Sequence, residues 1–112
     1  MLPVRTGPSR PGLIAVIFRS TRNGEDKAGY VAAAEAMERL VAAQPGYQGL
    51  DSARGADGVG LTVSWWIDEA SAIAWRDHPE HAAVRELGRA RWYDEYRIDV
   101  ARVERGYAWR RA

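Results

Sequence analysis

The chain has 112 residues, 46% hydrophobic and 28% charged, which fits one ordinary globular domain and excludes a disordered chain. Its formal net charge is +1, so it lacks the electrostatic footprint of a nucleic-acid-binding protein. It contains no cysteine, which excludes disulfides, thiolate nucleophiles and cysteine metal sites, and no apolar run approaches the roughly 20 residues of a membrane span.

Residues 1–12, MLPVRTGPSRPG, hold three prolines and two glycines and read as a flexible N-terminal arm ahead of a domain over 13–112. The arm has no apolar core of signal-peptide type, so a soluble cytoplasmic protein is the expectation. LIAVIFRS (13–20) is short, continuous and rich in branched residues, which predicts a strand covered on both faces. TRNGEDKAG is a turn, with Asn23 as the expected cap of the next helix and Glu25 and Asp26 favourable at its positive end. From about Asp26 to Gln44, Tyr30, Ala34, Met37 and Val41 draw one apolar stripe at helical spacing. QPGY stops that helix, because proline and glycine do not continue it. YQGLDSARG and VGLTVSWW form a hairpin around the turn signal ADG. On its second strand Val59, Leu61, Val63 and Trp65 share one face, and Gly60, Thr62, Ser64 and Trp66 the other.

Asp68 caps a short helix, EASAIAWRD, whose apolar side is Ala72, Ile73 and Trp75. Asp77 and Glu80 have capping-box spacing, and Pro79 suits a first turn. They open a longer helix, PEHAAVRELGRARWYDEY. RIDVARVERGYAW is the last strand, with a bulge expected where its apolar phase slips between Val100 and Val103. Arg89, Arg91 and Arg102 are expected in solvent or paired with Asp94, Asp99 and Glu104, and Gly88 is expected to pack closely on the sheet.

The order β-α-β-β-α-α-β describes an α+β fold, one antiparallel sheet with helices on one face. Helices cover only one face of such a sheet, yet the first strand is apolar on both, and the third turns Thr62, Ser64 and Trp66 to the second. A bare face of that size is costly at about 25 cal/mol per Å². Two copies packed sheet to sheet hide it, so a homodimer with a barrel-like interior is expected. Tyr107 and Trp109, near the end, are placed to cross onto the partner.

The element order, with VSWWIDEASAIAWRDHPEH leading into GRARWYDEYRIDVARVERGY, resembles the antibiotic biosynthesis monooxygenase family of dimeric α+β barrels, a ferredoxin-like fold. The resemblance spans roughly residues 12–107 and rests on a tryptophan-rich third strand, a W-x-x-H-x-x-H run and a G-R-x-x-W-Y run. It implies a pocket in each subunit between sheet and helices. The implied activity is cofactor-free oxygenation of a small aromatic or quinol-like metabolite. The family also includes haem-degrading enzymes and proteins of unknown activity. A non-catalytic, hydrophobic-ligand-binding or stress-related dimer and a haem-degrading oxygenase therefore remain open. Against haem, the first strand lacks the asparagine that branch uses. Trp75 matches its tryptophan, but the axial position falls near Arg85.

A cofactor-free oxygenase requires a dry, flat-walled pocket, a base and a fixed cation beside a developing anion. Tryptophan supplies flat walls and an N–H donor, arginine the cation, and histidine a base near neutral pH. The candidate catalytic residues are His81, Trp66 and Arg91. The candidate substrate-binding residues are Arg19, Trp65, Trp75 and Tyr93. His78 and His81 have metal-like spacing, but His78 falls at the helix cap and no third ligand accompanies them, so no metal or cofactor is expected.

Overall fold

The computed structural model describes residues 10–112. Its elements are β1 (Ile14–Arg22), α1 (Lys27–Ala42), β2 (Tyr47–Arg54), β3 (Val59–Trp66), α2 (Glu69–Arg76), α3 (Pro79–Arg91) and β4 (Tyr93–Arg102). The strands make one antiparallel sheet in the order β2-β3-β1-β4. The apolar β1 therefore lies inside the sheet, paired on both sides. Of the expected arm, residues 1–9 lie outside the described residues. Gly12 N–H donates to the Val103 carbonyl at 2.8 Å, and the Arg10 guanidinium lies 4.2 Å over the Trp65 ring.

Strand register settles which face is which. Ile14, Val16, Phe18 and Ser20 stand opposite Trp66, Ser64, Thr62 and Gly60, and these residues face the helices. Ile14, Trp66, Val41, Ala72 and Trp75 form the core, with Val16, Met37, Leu40, Tyr47 and Leu50 packed around it. The two faces of β3 are thus the reverse of the expectation. Trp66 and the small polar residues lie under the helices, while Leu61, Val63 and Trp65 share the open face with Ile17. Trp66 is part of the core, Ser64 accepts from its indole N–H, and Gly60 leaves room for the Arg54 side chain.

Local capping chemistry differs at two places. Asp26, not Asn23, caps α1, accepting from Gly29 N–H at 3.2 Å. Asn23 instead donates to the Arg91 carbonyl at 2.8 Å. Asp68 caps α2 as expected, accepting from Ser71 N–H at 2.8 Å. The Asp77–Glu80 box does not form, because Asp77 pairs with Arg76 at 2.9 Å and His78 Nδ1 accepts from Glu80 N–H at 3.2 Å. Pro79 occupies the first turn of α3. Ile73 is exposed, so the apolar side of α2 is Ala72 and Trp75.

The largest difference lies at the end of α3. The helix stops at Arg91, and Trp92 is its cap. Tyr93 already pairs with Arg22 in the sheet, and the irregularity falls at Thr21/Arg22 rather than between Val100 and Val103. Ladder bonds with β1 outweigh the helical propensity of WYDEY. Gly88 does pack closely, since a Cβ there would lie 2.8 Å from Tyr93 Cε2. Arg89, Arg91 and Arg102 are exposed, as expected, but their partners are others: Arg89 pairs with Glu86 at 2.7 Å, Arg91 approaches Asp26 at 3.9 Å, and Arg102 reaches the Gly12 carbonyl at 3.5 Å. After β4 the chain has no regular structure, and Tyr107 and Trp109 are exposed. Among the described residues, no helix is long and apolar enough to cross a membrane.

Candidate functional site

Three of the candidate residues form one column between sheet and helices. Trp66 closes β3 on the helix-facing side. Its ring stacks on Trp75 of α2 at 6.5 Å, and Tyr47 meets it edge-on at 5.7 Å. Trp75 points inward because it shares a helix face with Ala72, three residues earlier. The His78 cap and Pro79 then start α3 so that His81 lies on Trp75, with rings 4.3 Å apart and 10° from parallel.

His81 Nδ1 is 2.9 Å from the Trp75 carbonyl oxygen. A carbonyl only accepts, so Nδ1 carries the proton and donates it. Nε2 is therefore the lone-pair nitrogen. Burial is the main cause that lowers the His81 pKa below the ordinary imidazole value, and the nearby Arg85 and His78 charges act the same way. The Trp75 hydrogen bond opposes them in part. His81 is thus a neutral, oriented base at neutral pH.

Trp65, Arg19, Arg91 and Tyr93 are not brought to this column, and within it Trp66 is closed off. Trp66 itself is 0% exposed, and its indole N–H is satisfied by Ser64 Oγ at 2.9 Å, so it backs Trp75 and offers no surface of its own. Trp65 and Arg19 lie on the open face of the sheet. There Trp65 donates to Asp51 at 3.1 Å, and Arg19 is 3.9 Å from Glu95. Arg91 is ten residues beyond His81 on α3, about 15 Å along the axis at 1.5 Å per residue. Tyr93 packs at that same far end, edge-on to Phe18 at 5.5 Å.

Two concavities stand out among the described residues. One, of about 240 Å³, lies between the α1–β2 turn and α2, lined by Gln44, Pro45, Asp68, Ser71, Ala74 and Trp75. The other, of about 200 Å³, lies on the open-face side, against Arg10, Leu13, Gly49, Asp51 and Trp65. Neither lies in the layer between sheet and helices, where the resemblance implies a pocket. Beside Trp66 that layer is filled by aromatic packing. No group of three or more His, Cys, Asp or Glu side chains suited to a metal occurs among the described residues.

Sequence reasoning missed a second polar cluster at the far end of the layer: Ser20, Arg22, Tyr30 and Arg54. Arg54 donates to Ser20 Oγ at 2.7 Å and to the Tyr30 hydroxyl at 3.4 Å. The one available signal was period-two alternation, which puts Ser20 and Arg22 on the same face as Phe18. Nothing local in the sequence marks Arg54 as turned inward.

Comparison with known proteins agrees with this fold. Residues 13–87 match the profile of the family described as antibiotic biosynthesis monooxygenase. The uncharacterized protein YqjZ of Bacillus subtilis is 46% identical over 95 residues, which cover 85% of this chain and 82% of YqjZ. Among solved structures, a variant of SnoaB, a cofactor-independent oxygenase from Streptomyces nogalater, superposes with a TM-score of 0.73 at 15% identity, covering 85% of this chain and 96% of SnoaB. Rv0793 from Mycobacterium tuberculosis superposes with a TM-score of 0.70 at 18% identity, covering 80% and 92%. At these identities the two structures establish the shared fold alone.

Proposed function

Because the chain belongs to the antibiotic biosynthesis monooxygenase family, we propose that it is a cofactor-independent monooxygenase acting on a small aromatic, quinol-like metabolite. The observation that carries this reading is His81, held as a neutral imidazole with its Nε2 lone pair free and its ring flat on Trp75. Nε2 takes a proton from a phenolic or benzylic carbon acid, and the edge of Trp75, whose ring is stacked by Trp66 and His81, borders the resulting anion. The anion gives one electron to dioxygen, and the radical pair recombines with formation of a carbon–oxygen bond. The peroxide anion takes back the proton from His81 to give a hydroperoxide, which loses the remaining hydrogen on that carbon together with its terminal hydroxyl as water and leaves a carbonyl. One oxygen atom enters the product and the other leaves as water.

The approach for substrate is the cleft that Trp75 lines with Ser71 and Gln44, and of the Trp75–His81 pair the cleft reaches only Trp75. The open sheet face, with Leu61 47% exposed and Ile17, Val63 and Trp65 half-buried, is where a second protomer packs. The test is oxygen consumption with a panel of anthrones and hydroquinones, comparing the wild type with His81→Ala. Turnover that falls at least about tenfold in the variant supports the reading, a loss of about 1.4 kcal/mol of transition-state stabilisation. No turnover above background overturns it.

The sealed Trp66 and the surface position of the Trp75 cleft favour a second reading, a non-catalytic dimer that holds a hydrophobic ligand. Native mass spectrometry that retains a ligand in the absence of turnover distinguishes it. Haem degradation fits the residues poorly. Arg85 stands where the resemblance expects the axial histidine, and its guanidinium donates to the Arg76 carbonyl at 3.1 Å.

A further inference from the structure

We propose that Arg22, Arg54, Tyr30 and Tyr93 form a binding site for the carboxylate of a small aromatic acid, at the end of the sheet–helix layer remote from His81. Four elements meet there. Arg22 ends β1, Arg54 ends β2, Tyr30 lies in the first turn of α1, and Tyr93 opens β4. The missing side chain of Gly60 admits the Arg54 guanidinium, since a Cβ there would collide with Arg54 Cζ. In that space Arg54 donates to Ser20 Oγ, to the Ser20 and Gly58 carbonyls and to the Tyr30 hydroxyl.

Charge balance is what makes this cluster unusual. Arg22 Cζ lies 3.9 Å from the centroid of the Tyr30 ring and Arg54 Cζ 5.6 Å from it, so two cations share one ring. Among the described residues neither guanidinium has a carboxylate within 4.0 Å. Arg22 Nε is buried without a hydrogen-bond partner, while Nη2 donates to the Glu25 carbonyl at 3.1 Å. An unpaired buried donor and two half-buried like charges are each unfavourable, and an oxyanion between them relieves both.

The walls set the ligand class. Phe18 meets Tyr93 and Tyr96 edge-on at 5.5 and 5.4 Å, and Tyr30 meets Trp92 and Tyr93 at 5.7 and 6.2 Å. Tyr93 keeps its proton, because burial and then the neighbouring Tyr30 raise its pKa further than Arg54 and Arg22 lower it. The Tyr30 oxygen accepts from Arg54, which leaves its own hydrogen to donate. The Nη hydrogens of Arg54 are engaged within the cluster and Tyr93 is bonded to Tyr30, so Arg54 contributes charge, and Arg22 Nε and the Tyr30 hydrogen are the donors left for a ligand. A planar guanidinium matches a carboxylate, and aromatic walls favour an aromatic stem. The site is separate from the His81 column. Gly88, whose Cβ position abuts Tyr93, lies seven residues beyond His81 on α3, about 10 Å along it.

The test is titration of the full chain with benzoate, observed through the Arg Nε–H signals in NMR. Phenol, cyclohexanecarboxylate and inorganic phosphate serve as comparison probes. Benzoate shifts the Arg22 Nε–H signal, and Arg22→Met weakens its binding at least about tenfold. That substitution leaves the Arg54 hydrogen bonds in place, so the melting temperature stays close to that of the wild type. Tyr93→Phe, which removes only the hydroxyl, weakens binding by a smaller factor. Equal affinity for benzoate in Arg22→Met, phosphate binding as tightly as benzoate, or no shift at about 10 mM benzoate overturns the proposal. Each readout is independent of oxygen consumption, so failure here and failure of the oxygenase reading are distinguishable.

Discussion

Trp92 Nε1 donates to Asp26 Oδ2 at 3.1 Å, across 66 positions of sequence. The bond ties the C-cap of α3 to the N-cap of α1, and Asp26 makes it from the left-handed region at φ 48°. Aspartate tolerates that region better than most residues, so the cap and the long-range bond share one locally strained position.

Replacing Asp26 removes both roles together. Asp26→Ala loses the Gly29 cap and the Trp92 acceptor, and is expected to cost about 1–3 kcal/mol. Asp26→Asn keeps an acceptor oxygen and the backbone tolerance, and should cost less. Urea midpoints at constant slope measure the difference; equal midpoints for wild type and Asp26→Ala would show that the bond contributes nothing.

Gly88→Ala raises helix propensity by about 1 kcal/mol, which in an exposed helix would stabilise. Here the new Cβ would lie 2.8 Å from Tyr93 Cε2, and strand pairing holds that ring's backbone. The expected outcome is a net loss of about 1–3 kcal/mol, recovered in part when Tyr93 is shortened to valine in the same chain. Thermal melts of the single and double variants read it directly.

The pH dependence of stability follows from His81. Its folded pKa is lowered from 6.5, mainly by burial, so below about pH 6.5 the unfolded chain binds the proton first. Stability is full above that value and falls as pH drops toward the folded pKa. In His81→Gln this fall should vanish, while the acid losses due to carboxylates remain. Denaturation midpoints between pH 5 and 8 provide the check, and an unchanged slope in the variant would assign the effect to another group.

Leu61 is 47% exposed at the centre of the open sheet face, with Val63 beside it. If that face pairs two protomers, Leu61→Asp places charges against each other and the dimer dissociates. Light scattering should then give the mass of one chain for the variant and of two for the wild type. A wild-type mass of one chain would remove the dimer.

Much of the fold could be read from short stretches. The β1 composition, the helix stop at QPGY, the ADG hairpin and the Asp68 cap are local signals, and each appears where it was expected. The His81 column was half legible. The W-x-x-H-x-x-H spacing puts Trp75, His78 and His81 near one helix junction, but the ring stacking and the Nδ1 bond to Trp75 depend on the angle between α2 and α3.

The order of elements is legible from the chain alone, because propensity, capping and turn chemistry act within a few residues. Which side of β3 faces the helices, where α3 gives way to β4, and which arginines turn inward are settled by the folded arrangement. Those outcomes come from pairing and packing between residues far apart in the chain. Tyr93 becomes a strand residue because Arg22 is there to pair with it, and Arg54 turns in because Gly60 leaves the space. No local pattern encodes either fact, since each depends on the position of a partner that folding alone supplies.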